Sequence, residues 1–158
     1  MNQLLDLLCR NARQSNEDLA KSAGMSSDEV AAQIKIWEAD GTIRGYQAMV
    51  DPALRNADIS AFIEVRLKPE RGGGFDRLAR RISRFDQVTS CYLASGGYDL
   101  LVVVEAKDLL AVAGFVSEKL SSIEGVLSCS TRFRLKSYKE NGFLFSEDDK
   151  SSRLPISP

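Results

Sequence analysis

The sequence predicts an α+β protein in two parts. A three-helix segment of the winged/helix-turn-helix type comes first, and a ferredoxin-like β-α-β-β-α-β unit follows it. Two observations carry this prediction. Apolar residues recur at three- and four-residue spacing up to Trp37, whereas period-two and helical stretches alternate from Ile59 onward. Glycine and proline signals such as Gly24, Gly41, Asp51-Pro52 and Gly125 punctuate the chain between those stretches.

The elements follow in order. Leu4, Leu5, Leu8, Cys9 and Ala12 form one face of a first helix. Ser15 with Asp18 has capping-box spacing, Asp standing in for Glu, and opens a short helix carrying Leu19, Ala20 and Ala23. Gly24 stops it, because glycine tolerates the left-handed conformation of a sharp turn. Ser26 or Ser27 caps a third helix whose inner stripe is Val30, Ala31, Ile34 and Trp37, and Gly41 ends it. Helix, short helix, glycine turn, helix is the helix-turn-helix order, in which the last helix enters the major groove. The same pattern also fits a plain three-helix bundle with no nucleic-acid role. Ile43 to Val50 reads as an extended connector, and Asp51-Pro52 as the boundary between the halves.

In the second half, Ile59, Ala61, Ile63, Val65 and Leu67 alternate with Ser60, Phe62, Glu64 and Arg66, the period of a strand. Pro69 and Gly72-Gly73-Gly74 break it. Phe75, Leu78, Ala79, Ile82 and Phe85 mark an amphipathic helix. A second strand covers Val88 to Ala94, Ser95-Gly96-Gly97 makes a tight turn, and a third strand runs from Tyr98 to Glu105. The continuous apolar run Leu100 to Val104 predicts a central strand covered on both faces. Asp108 caps a second helix with Leu109, Val112, Ala113, Val116 and Leu120 inward, and Gly125 turns into a strand over Val126 to Leu135. Both helices then lie on one face of a four-stranded antiparallel sheet. The other face, bearing Phe62, has no helix to cover it and invites a second copy of the chain. The expected domains are 1–50, a helix-turn-helix segment with a linker strand; 51–140, a ferredoxin-like domain that pairs with a second copy; and 141–158, a C-terminal tail whose last stretch, Ser146 to Pro158, is polar with two prolines.

Composition narrows the function. With 44% hydrophobic and 27% charged residues, the 158-residue chain reads as an ordinary globular protein. No apolar stretch reaches the roughly 20 residues of a membrane span. The N-terminus has no basic segment followed by an apolar core, so the expectation is a cytoplasmic protein. There is no histidine, which removes Ser-His and Cys-His nucleophiles and histidine metal sites. Cys9, Cys91 and Cys129 are far apart and form no metal-ligand spacing, so they read as small buried hydrophobes. No catalytic residue, cofactor or metal site is assigned. The net charge of −1 does not by itself suggest nucleic acid.

With both halves read, the chain resembles the Lrp/AsnC (feast/famine) regulators from about Leu4 to Tyr138. The likeness rests on Asn11-Ala12-Arg13-Gln14-Ser15 before Leu19-Ala20, on Gly24-Met25-Ser26, on Glu38-Ala39-Asp40-Gly41-Thr42-Ile43-Arg44-Gly45-Tyr46, on Gly97-Tyr98-Asp99, and on Gly125-Val126 six residues before Arg132. Each motif is weak alone, but their order and spacing are specific. The resemblance implies a DNA-binding regulator that forms dimers, often associating into octamers, and answers an amino acid bound between dimers. It places the recognition helix after Gly24, where Ser26, Ser27, Gln33 and Lys35 are the residues able to touch phosphates or base edges, and the effector near Ser95, Gly96, Gly97, Tyr98 and Asp99. Glycines let backbone N–H groups approach a carboxylate, and the Asp99 carboxylate can pair with an ammonium group. The plainer reading of the same stretch is a turn that needs glycine, with Asp99 capping a backbone amide.

The chain departs from the family at the recognition helix. Family members usually carry arginine at the position of Gln33, and here Lys35 is the helix's only cation. Residues 1–50 hold five Lys or Arg against seven Asp or Glu, a balance of −2. Few cations predict weak binding with a shallow salt dependence. Arg77, Arg80, Arg81 and Arg84 cluster on the first helix of the second domain, a pattern of a solvated face or of a second DNA surface. Two rival functions remain: an amino-acid-binding oligomer with weak or lost DNA contacts, and an enzyme. The fold hosts many chemistries, but the Lrp-like haem-pathway decarboxylases lean on histidine, which is absent here.

Overall fold

The computed structural model describes residues 2–50, 59–69 and 74–145. Two units divide the chain, Met1–Met49 and Val50–Pro158. The expected Asp51-Pro52 turn, Gly72-Gly73 and the stretch Ser146 to Pro158 lie outside the described residues.

The first unit holds α1 (Gln3–Arg10), α2 (Asn16–Ala23) and α3 (Ser27–Asp40). Leu4 and Leu8 of α1, Leu19 and Ala20 of α2, and Val30 and Trp37 of α3 bury together as one core. Ala31 and Ile34 are half-buried. Two residues expected on the inner face of the first helix are exposed. Asn11 is extended (φ −155°, ψ 96°), so α1 stops at Arg10 and Ala12 falls beyond it; Cys9 is exposed, not a buried hydrophobe. Gly24 and Gly41 follow α2 and α3 at φ 69° and 77°, the left-handed conformation that ends a helix with least strain in glycine. Residues 44–50, expected to include a linker strand, carry none. An extended segment becomes a strand only by pairing, and the described residues offer it no partner strand.

The second unit contains β1 (Ile59–Leu67), α4 (Gly74–Ile82), β2 (Val88–Leu93), β3 (Leu100–Ala106), α5 (Leu109–Gly114) continuing as a π-helical turn (Phe115–Leu120), β4 (Val126–Phe133), and a small hairpin of β5 (Lys139–Glu140) and β6 (Phe143–Leu144). The main sheet has the order β2-β3-β1-β4, all antiparallel. This is the ferredoxin-like arrangement that the sequence predicts. Its core lies between the helices and one sheet face: Ile63, Val65 and Leu67 from β1, Leu100, Val102 and Val104 from β3, Leu78 and Ile82 from α4, and Phe115 and Leu120 from the π-helical turn.

Several local expectations change. The loop between β2 and β3 runs from Ala94 to Asp99, wider than the expected tight turn, because Asp99 hydrogen-bonds back to β1 and does not continue β3. β3 is central, but its burial alternates along the strand. Leu101 and Val103 are only half-buried, since none of the described elements of this unit covers their face. Leu109 and Ala113 point outward, whereas Phe115, absent from the expected inner stripe, is buried. The π-helical turn explains this: Ser121 N–H donates to the Val116 carbonyl five residues back, at 2.8 Å, so Phe115 and Leu120 share a face at five-residue spacing. The expected tail from 141 begins instead inside the β5–β6 hairpin, with Asn141 and Gly142 at φ 46° and 90°. Cys91 and Cys129 are half-buried on the helix side, and burial pushes both thiols up. Ser60 breaks the alternation of β1: it is buried, and its hydroxyl has no hydrogen-bond partner among the described residues.

Candidate functional site

Two places gather the residues singled out in the sequence. The first is the start and outer face of α3. Ser26 is the N-cap: its hydroxyl accepts the Glu29 N–H at 3.2 Å, and its own N–H donates to Glu29 Oε2 at 2.8 Å, a complete capping box. The backbone hydrogen bond from Ser26 holds the Glu29 carboxyl below the usual carboxylate range. The Ser26 hydroxyl also donates to Glu29 Oε2 at 2.8 Å. Phosphate oxygens only accept, so the hydroxyl proton that a phosphate contact needs is already committed to Glu29. Ser27 is the first helical residue and is half-buried.

Gln33 and Lys35 do not share a face. Two residues at 3.6 per turn lie about 160° apart around a helix. Gln33 is half-buried beside the core stripe, and Lys35 is exposed. The outer face that carries Lys35 also carries Asp28, Ala32 and Ala39, with Ile36 at its margin, 55% exposed. A search for polar contacts passes over Ala32 and Ile36. Their signal in the sequence is an apolar residue outside the inner stripe, which singly is ordinary.

The second place is the loop Ala94–Asp99. Four hydrogen bonds define it. Ala94 N–H donates to the Asp99 carbonyl at 2.9 Å, and Asp99 N–H to the Val65 carbonyl at 3.0 Å. Leu67 N–H donates to Asp99 Oδ2 at 2.7 Å, and Arg66 Nε to the Gly97 carbonyl at 2.7 Å. Thus Asp99 does cap a backbone amide, as the plainer reading had it. Oδ1 makes no hydrogen bond among the described residues. Ser95, Gly96 and Gly97 are exposed, and Tyr98 and Asp99 half-buried. A Cβ added at Gly96 or Gly97 meets no atom of the described chain within 4 Å.

Sequence reasoning missed the residues of β1 that bear on this loop. Arg66 ties it down by its carbonyl. One step along the same face, Glu64 accepts two hydrogen bonds from Arg132 of β4, at 2.9 and 3.1 Å. The Arg132 hydrogen bond holds the Glu64 carboxyl below its ordinary range, and Glu64 raises Arg132, with a smaller contribution from Tyr98. In the sequence these charges look like the solvated side of a half-buried strand, and no local signal separates them from one. Among the described residues no group of three or more Cys, Asp or Glu is placed to hold a metal ion, and no helix is long and apolar enough to cross a membrane.

A three-helix unit with a capped, exposed third helix, joined in one chain to an antiparallel α+β domain, has the element order of a helix-turn-helix segment followed by a ferredoxin-like domain. Comparison with known proteins makes the family explicit. The model of the Lrp/AsnC ligand-binding domain matches residues 60–144, more than half of the chain. The HTH-type transcriptional regulator YugG of Bacillus subtilis is 42% identical over 99% of this chain and 95% of its own. The Bkd operon transcriptional regulator of Pseudomonas aeruginosa is 32% identical over 85% and 88%. Among solved structures, the transcriptional regulator NMB0573 of Neisseria meningitidis, in complex with L-Met, superposes with a TM-score of 0.69 at 28% identity, covering 87% of this chain and 89% of its own. Escherichia coli AsnC shares the fold, with a TM-score of 0.67 at 24% identity over 88% and 92%. The chain belongs to the Lrp/AsnC family of transcriptional regulators.

Proposed function

We propose that this regulator couples DNA binding by residues 1–50 to an amino-acid effector held by the domain 51–140. The α3 outer face enters the major groove, with Lys35 on phosphate and Gln33 and Ser27 at its flanks. Ala32 and Ile36 are suited to a thymine methyl group. Ser26 serves through its cap, which sets the entry angle of α3.

The observation that carries the effector reading is the Ala94–Asp99 loop. Arg66 and the Leu67 amide hold it in shape, yet among the described residues nothing lies within 4 Å of a Cβ added at Gly96 or Gly97 and Asp99 Oδ1 has no hydrogen-bond partner. Backbone N–H groups bared by glycine receive a carboxylate, and Asp99 Oδ1 receives an ammonium group. An amino acid offers both. The related Neisseria regulator was crystallised with L-Met, which supports this choice of ligand class. The open sheet face of Phe62, Leu101, Val103 and the 57% exposed Tyr92 is the dimer surface, and dimers associate further into octamers.

Fluorescence anisotropy with the protein's own upstream DNA, against a scrambled duplex and with each amino acid in turn, tests this. Sequence-preferring binding that one amino acid shifts, and that Lys35→Ala weakens at least tenfold, is the expected outcome. No preference and negligible affinity at low salt, in a folded oligomer, overturns it. The balance of five cations to seven acids in residues 1–50 then favours the second reading, an amino-acid-binding assembly with weak or lost DNA contacts.

A further inference from the structure

Arg77, Arg80, Arg81 and Arg84 follow one another at three, four and seven residues, so they form one stripe along α4 and the turn that ends it. The helical course continues through Arg84, because Ser83 N–H donates to Ala79 O and Arg84 N–H to Arg81 O. The opposite side of α4 buries Leu78 and Ile82 in the core. All four arginines are exposed. Arg80, Arg81 and Arg84 form no ion pair among the described residues, although Asp76 and Asp86 lie nearby in sequence. From Gly74 to Asp86 four cations stand against two acids, the reverse of the balance in residues 1–50.

A helix C-terminus favours one or two cations, and lysine serves that purpose equally well. Four arginines in eight residues exceed it. Guanidinium groups are weakly hydrated and fork onto phosphate oxygens, which is where arginine differs from lysine. We propose that the α4 arginine stripe is a second DNA surface, which grips the phosphate backbone of duplex DNA. The stripe supplies the cations that α3 lacks. It lies on the helix side of the sheet, away from the face assigned to dimerisation, so it stays exposed in that dimer. Contacts of this kind add affinity and salt dependence without reading sequence.

The experiment uses the full-length protein and a triple variant, Arg80→Gln/Arg81→Gln/Arg84→Gln, with circular dichroism and size-exclusion chromatography confirming fold and assembly. Binding to the upstream duplex and to a scrambled duplex is followed across a salt series. Each phosphate contact contributes about 0.9 to the slope of log K against log salt, so three lost contacts lower the slope by roughly 2.7. The preference for the upstream duplex stays unchanged, and the corresponding triple Lys variant keeps most of the slope. Should the triple Gln variant not fold, each single Gln variant lowers the slope by about 0.9. A wild-type slope in the Gln variants overturns the proposal while leaving DNA binding through α3 intact. So does a loss seen only with phosphatidylserine vesicles, which marks a lipid surface. A folded wild-type oligomer that binds no duplex at low salt overturns both readings.

Discussion

Gly96 and Gly97 are adjacent in one loop, but they are glycine for different reasons. Gly96 has φ 132°, a region that side chains with a Cβ rarely adopt, whereas Gly97 has no such φ and no neighbour within 4 Å of an added Cβ. Gly96→Ala is therefore expected to destabilise the fold by roughly 1 kcal/mol or more through backbone strain. Gly97→Val is expected to leave stability within about 0.5 kcal/mol of wild type and to abolish the effect of the amino acid on DNA binding. Urea unfolding and effector titration check both halves, and a full effector response in Gly97→Val sinks the loop assignment. Part of this was legible beforehand. The motif Gly97-Tyr98-Asp99 marks the place, but whether Asp99 meets a backbone amide or a ligand depends on β1 lying beside it, 32 residues away. Arg66 was illegible for the same reason: its partner is a carbonyl 31 residues distant. Gln33 and Lys35 look alike as polar helix residues, and only helical geometry separates them onto different sides.

At the scale of elements, local chemistry was readable where it is self-contained. Ser26 and Glu29 are three residues apart and need only each other. Ser26→Ala is expected to cost about 1 kcal/mol, the usual loss of an N-cap, measured by urea unfolding at neutral pH. The partner carboxylate sets a pH window. Glu29 is held below its ordinary value of 4.5, so its contribution is complete above that pH and is lost as pH falls through the lower native value. Glu29→Gln should flatten this part of the acid-unfolding profile, and an unchanged profile counts against a carboxylate role in the cap. The α2 cap is shorter by one methylene: the Asp18 carboxylate accepts from the Ser15 hydroxyl at 2.7 Å, and no bond to it from the Ser15 N–H is present among the described residues. Other elements needed more than periodicity. A 3.6-residue stripe cannot foresee the π-helical turn that brings Phe115 inward and leaves Leu109 out. Asn141-Gly142 joins β5 to β6, and this dipeptide is a local hairpin signal that the expectation of a tail from 141 leaves out.

At the scale of the molecule, the sheet face opposite the helices is the surface proposed for dimerisation. It is mixed, with half-buried Phe62, Leu101 and Val103 among the ion pairs Arg132–Glu64 and Arg134–Glu105. Sequence alone foresaw an uncovered face, because two helices cover only one side of a sheet. It could not foresee that Glu64 of β1 and Glu105 of β3 pair with Arg132 of β4 and with Arg134 just beyond it, leaving an apolar strip between them. Such a strip, bordered by neutralised charges, suits an isologous contact in which each residue meets its partner twofold. Val103→Glu puts an unpaired carboxylate into that strip in both copies at once. Leaving a charge buried and unpaired costs several kcal/mol, so the dimer Kd is expected to rise at least about a hundredfold. Sedimentation velocity across a dilution series reads this directly, with circular dichroism holding the fold constant. Leu110→Glu is the control, since Leu110 is 81% exposed in α5, on the helix-bearing side of the sheet, and it should leave the dimer intact. A dimer unmoved by Val103→Glu but broken by Leu110→Glu would transfer the interface to the helix side. It would also bury the surroundings of the arginine stripe, and the two proposals would fail together.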